Sequence, residues 1–83
     1  MKEFYTIIDA DGFPVKFEPE GIADIAVRKV SLNQCEKYDS LNQAKSGLTY
    51  ISKVCESSTA IIYSGRLPFK ISKVITIRQL VEI

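Results

Sequence analysis

The sequence predicts an α+β fold: a small antiparallel sheet of about four strands with one main helix, residues 41–56, packed on one face, in the order β-β-(turn)-α-β-β. Three observations carry this reading. Ser40 to Ser57 is a single amphipathic stretch with a helical repeat. The segments before and after it are rich in β-branched and aromatic residues. The chain has 83 residues, the length of one domain with one core.

From the N-terminus, residues 3–9 read EFYTIID. Phe4, Thr6 and Ile8 alternate with Tyr5 and Ile7, so both faces of this strand are partly apolar, which places it inside the sheet. Asp9-Ala10-Asp11-Gly12 is turn chemistry, and Asp-Gly is a strong hairpin signal. Val15 to Glu18 then alternates as a second strand that Pro19 closes, giving a first hairpin. Residues 21–30, GIADIAVRKV, fit a helical period at Ile22, Ile25, Ala26 and Val30 and a short strand at 27–30; we read an irregular segment ending in a short strand. The tetrapeptide SLNQ occurs at 31–34 and again at 40–43. The first copy opens a single turn that points Leu32 and Cys35 inwards.

The second copy opens the helix. Ser40 is a good N-cap, and Gln43 three residues later completes a capping box. Leu41, Ala44, Leu48, Ile51 and Cys55 share one stripe. Asn42, Ser46, Thr49, Tyr50 and Lys53 occupy the opposite face. Gly47 lies on the flank of the stripe and costs about 1 kcal/mol relative to alanine. Either it lets a strand approach closely or it is a tolerated imperfection. A helix of this length is marginal alone, since roughly 12–15 residues is the minimum in water, so it needs a sheet to lie on.

Residues 59–63, TAIIY, read as a buried strand, and 64–68 as a turn. Residues 69–83, FKISKVITIRQLVEI, read as one further strand, with a bulge or bend near Lys73–Val74 where the alternation of apolar and polar residues slips. Cys35 and Cys55 are the only cysteines, expected to be reduced packing residues. No apolar run reaches the ~18 residues of a membrane span, and Met1 leads straight into a strand. The expectation is a cytoplasmic protein without membrane contact.

The net charge of +1 is uneven. Residues 1–24 hold two lysines against six carboxylates, whereas residues 57–83 hold four basic residues against Glu82. Either these acidic and basic ends lie side by side, or the fold has two differently charged faces. The habit of terminal strands to pair in small sheets favours the first.

FYTIIDADG (4–12) and LNQCEKYDSLNQAKSGLTYI (32–51), together about a third of the chain, resemble short accessory proteins of bacteriophages and prophages. Those proteins share a hairpin opening of the form YxIxDxxG, a turn and capped helix, and a β-rich tail. The resemblance implies stoichiometric binding to a host or defence protein in the host cytoplasm. It transfers no functional residue.

Histidine is absent, which removes the commonest general base and metal ligand and any Ser-His or Cys-His dyad. Glycines at 12, 21, 47 and 65 cannot form a P-loop or a dinucleotide fingerprint. Asp9, Asp11 and Glu20 echo an EF-hand, but Pro14 stands where that loop needs glycine. No catalysis, metal or cofactor is expected. What remains are surfaces. Arg66, Lys70, Lys73 and Arg78, near Tyr63 and Phe69, offer either a nucleic-acid contact or a solvated strand face. Tyr50, beside Ser46 and Lys53, suits a protein interface. VITIRQLVEI at 74–83 invites strand addition by a partner or a second copy if it is an edge. The expected function is protein binding that modulates or inhibits a host protein. The alternatives are a nucleic-acid-binding module and a small structural homo-oligomer.

Overall fold

The computed structural model describes residues 3–57, 60–76 and 79–83. Among these residues lie one helix and six strands: β1 (Phe4–Ile8), β2 (Val15–Glu20), β3 (Asp24–Lys29), α1 (Leu41–Glu56), β4 (Ala60–Ile62), β5 (Lys70–Thr76) and β6 (Gln79–Glu82). The class is α+β, but the strands form two three-stranded sheets rather than one of four. Their orders are β1-β5-β6 and β2-β3-β4.

The first hairpin is the main correction. A turn does reverse the chain at Asp9–Phe13, with Gly12 at φ 91° and the Asp9 amide donating to the Phe13 carbonyl. Beyond it β1 and β2 share only the Ile8–Pro14 bridge. Pro14 has no N–H with which to continue the ladder, so the strands part. β1 pairs antiparallel with β5, and β2 with β3. Pro19 does not end β2; it sits opposite Ile25 in a strand that is a sheet edge, where proline is tolerated.

The segment read as largely irregular is β3, a full strand from Asp24. That reading hid a β-α-β unit. β3 and β4 run parallel, Ile25 beside Ala60 and Val27 beside Ile62, and the chain between them carries α1 as the crossover a parallel pair requires. The sheets are therefore not wholly antiparallel.

β1 is not the internal strand that its two-sided apolarity predicts: β5 is the central strand of the sheet and β1 an edge. On the outer side of β1, Tyr5 and Tyr38 exchange backbone hydrogen bonds of 2.8 Å and Ile8 bridges to Pro14, so isolated bridges rather than a strand cover it. Adjacent β1 and β5 bring the acidic and basic ends together: Glu3 meets Lys73 at 3.2 Å and Asp11 meets Arg66 at 2.8 Å. The irregularity in the β5–β6 ladder falls between Val74 and Thr76, just beyond the expected position.

α1 has the expected bounds. Ser40 is extended at φ −135° and its Oγ accepts from the Gln43 amide, while the Gln43 side chain accepts from the Asp39 amide. The apolar stripe lies over β1 and β5. Ile51 joins Ile7, Val15, Val27 and Phe69 in the core, with Leu48, Cys55, Phe17, Ile25 and Tyr38 packed around them. Gly47 is needed for a close approach, but by a ring rather than a strand. A Cβ there would lie 2.7 Å from the Tyr38 ring carbon that bears the hydroxyl. The turn at 31–35 forms as expected: Gln34 donates to the Ser31 carbonyl, and buried Cys35 donates its thiol to the Leu32 carbonyl. Both cysteines are free, and partial burial raises the Cys55 pKa.

Candidate interaction surface

The residues expected to form a surface fall into separate places. Ser46 and Lys53 are exposed on α1. Tyr50 is half exposed, but it does not point away from the sheets: its ring lies 6.2 Å from that of Phe17 on β2, tilted by 40°. One face of Tyr50 is thus packing.

The basic residues form no single patch. Lys73 lies opposite Tyr5, near the start of β1. Arg66 lies beyond its other end, where it pairs with Asp11. About five residues of strand separate these ends, or roughly 17 Å. Arg66 and Lys73 both have carboxylate partners, which lowers the positive potential each would offer a phosphate. Lys70 opens β5 opposite Ile8 and is half-buried. Arg78 lies outside the described residues. The C-terminal strand is an edge, with Val81 and Ile83 exposed, as the strand-addition reading requires.

Sequence reasoning missed three features. The first is buried and polar. Asp9, 1% exposed, follows β1 and accepts from three backbone amides: Asp11 at 3.0 Å and Phe13 at 2.8 Å on one oxygen, Arg66 at 3.1 Å on the other. Ala10 returns a hydrogen bond to the Arg66 carbonyl. One carboxylate therefore ties the 9–13 turn to the loop before β5. Burial alone would raise its pKa, but the three amides and nearby Lys29 outweigh that and lower it. The D-x-D-G pattern held the signal for the local pair of bonds; the distant loop left none.

The second is the tip of the β2–β3 hairpin. Gly21 takes φ 68°, and Ile22 at the apex is fully exposed, 107% relative to an isolated residue. Glu18, Glu20 and Asp24 surround it in sequence, with no basic residue between Lys16 and Arg28. An apolar side chain with nothing to pack on, in an acidic setting, is the reverse of what stability would select.

The third is β4, which is not the buried strand its composition implies. Ile61 is 37%, Ile62 38% and Tyr63 52% exposed. Three residues paired on one side only cannot hide isoleucines on both faces. Beside it, the Arg28 guanidinium lies 4.1 Å above the Tyr63 ring, and the Tyr63 hydroxyl donates to Glu20 at 2.7 Å. That hydrogen bond to a carboxylate is the main cause of a raised Tyr63 pKa. Among the described residues no group of three or more Cys, Asp or Glu side chains is placed to hold a metal, and no helix is long and apolar enough to cross a membrane.

No protein-family model, curated protein or solved structure matches this chain.

Proposed function

We propose that the protein is a non-catalytic binding factor that works by stoichiometric contact with another protein, in the manner of a phage-type accessory factor that modulates a host or defence target. The observation that carries this is Ile22. A fully exposed isoleucine at the apex of a tight hairpin, flanked by Glu18, Glu20 and Asp24, is built as a short finger. Its chemistry fits an apolar socket with a basic rim. Apolar anchors surrounded by polar groups dominate binding energy at protein interfaces, and truncating one costs on the order of 2 kcal/mol or more, a loss of roughly 30-fold. Of that flank Glu18 and Glu20 already meet Lys16 and Arg28, at 3.9 and 4.0 Å, which leaves Asp24 as the main charge to steer encounter with a basic group.

The test compares affinity capture from host lysate by the wild-type protein and by Ile22→Asp. The expected result is a protein retained by the wild type and lost with the variant. Identical retention by both, or nucleic acid recovered and lost in Arg66→Ala with Lys70→Ala, overturns the reading.

A further inference from the structure

We infer that the free edge of β4 is a self-association site, at which two copies pair β4 to β4 antiparallel about a two-fold axis through Ile61. The argument begins with edge chemistry. Edge strands are ordinarily protected by charge, proline or a bulge. In the sheet β2-β3-β4, the β2 edge has this protection in Lys16, Glu18, Pro19 and Glu20. The β4 edge, Ala60-Ile61-Ile62, has none. The occupant is therefore a strand that brings no charge to these positions.

The hydrogen-bonding direction fixes the register. Tyr63 donates to the Val27 carbonyl at 2.9 Å, so Ile61, two residues earlier, also turns its polar groups towards β3. Alternation then points the N–H and C=O of Ala60 and Ile62 away from it. An antiparallel copy centred on Ile61 sets Ala60 against Ile62 of the second copy and Ile62 against its Ala60. Both outward residues of each strand are then hydrogen-bonded, and a small side chain faces a large one on either side of the axis. The two Ile61 side chains meet in a non-hydrogen-bonded pair, the closer of the two antiparallel spacings.

Charge agrees with this register at longer range. On the outer face Lys16 lies opposite Arg28, and Glu20 lies opposite Asp24 at the far end of the ladder. The two-fold operation brings the Lys16–Arg28 row of each copy into line with the Asp24–Glu20 row of the other, with Arg28 and the facing Asp24 three strand spacings or roughly 14 Å apart. Within its own copy Arg28 lies over Tyr63 and 4.0 Å from Glu20, so this complementarity is screened. A parallel copy or a one-residue slip would lose this match. The contact is small, below the ~1,200 Å² of stable complexes, so a dissociation constant on the order of 10–100 µM is expected. The inference is independent of the finger at Ile22, which lies at the hairpin tip rather than on the edge.

Sedimentation equilibrium from about 1 µM to 1 mM is the test, with the fold of each variant checked by circular dichroism. The wild type should show reversible monomer–dimer exchange. Ile61→Lys, which removes the apolar pair and sets two cations face to face at the axis, should weaken it about tenfold or more. Arg28→Glu, roughly 14 Å from the facing Asp24, should weaken it by no more than about threefold, an effect that added salt removes. Because Cα atoms about 4.5 Å apart suit a disulfide, Ile61→Cys should oxidise to a dimer in which mass spectrometry finds the two introduced thiols joined to each other, whereas Ile22→Cys should not. A wild-type protein monomeric at 1 mM, a dimer unchanged by Ile61→Lys, or no disulfide between the two introduced thiols of Ile61→Cys overturns the inference.

Discussion

The two sheets handle the same problem in opposite ways. Around β1-β5-β6 polar groups are taken inside: Thr6, Asp9 and Ser72 are all buried, and each has a partner, the Glu36 carbonyl, three backbone amides and the Val81 carbonyl. Around β2-β3-β4 apolar groups are left outside: Ile22, Ile61, Ile62 and Tyr63 all face solvent. One half satisfies hydrogen bonds where it has no water, and the other keeps greasy side chains where it has no cover. A buried polar group is stabilising only when fully partnered, while an exposed apolar group adds almost nothing to folding. The first half therefore holds the satisfied polar groups, and the second most of the uncovered apolar ones, with Val81 and Ile83 at the β6 edge the exceptions in the first.

The sharpest way to break this contrast is at Asp9. Asp9→Ala leaves three amides without their acceptor and should lower stability by about 3–5 kcal/mol, measured by urea denaturation. The same group makes stability depend on pH. Its folded pKa lies below the ordinary 3.8, so the stabilisation is present above that value and is lost as the pH falls through it to the lower folded value. The urea midpoint of the wild type should decline over this acid range. Asp9→Asn should begin lower and decline less. Equal slopes in the two proteins would remove the carboxylate from the account.

Gly47 tests the next level. Alanine there gains about 1 kcal/mol of helix propensity, but its Cβ strikes the Tyr38 ring, an overpacking that costs about 1–3 kcal/mol. Gly47→Ala should therefore destabilise the wild type, and in a Tyr38→Ala background it should stabilise by about 1 kcal/mol. A stabilising effect in both would show that the ring moves aside freely. The smallest effect is expected in the other half: Ile22→Ser should change folding stability by no more than about 0.5 kcal/mol. A larger loss would mean that the hairpin tip belongs to the core and not to a contact surface.

The helix was legible in the sequence to the residue because every determinant is local: the cap at Ser40, the stripe, and the end at Ser57. The two apolar faces of β1 pointed to an internal strand, but they report cover and not sheet order: β1 is an edge, lined by the isolated bridges of Tyr38 and Pro14. The pairing of β1 with β5 was read only as a charge argument between the chain ends, which Glu3–Lys73 and Asp11–Arg66 bear out. What failed was non-local. Asp-Gly gave the turn at 9–13, but Pro14 and the competition of β3 for β2 decided that no hairpin followed. Residues 24–29 satisfied helix and strand periods at once, and only the partner strands β2 and β4 resolve them. Hydrophobicity pointed to a buried β4, because composition reports what a strand would prefer and not whether a neighbour exists. Of the surface residues, Tyr50 was placed on the face away from the sheet, because a helical repeat cannot show that β2 brings Phe17 beside its ring. Ile22 was not legible, since the same periodicity that made it a candidate for a helix face disguised a hairpin apex.

The amide of Arg66 reaches the Asp9 carboxylate across 57 positions of chain. Closing so long a segment costs entropy that no local turn offsets, so this bond cannot form until the remaining topology has brought its ends together. The Arg66 proton should then exchange with deuterium only through whole-molecule opening, at the slowest rate of any loop amide.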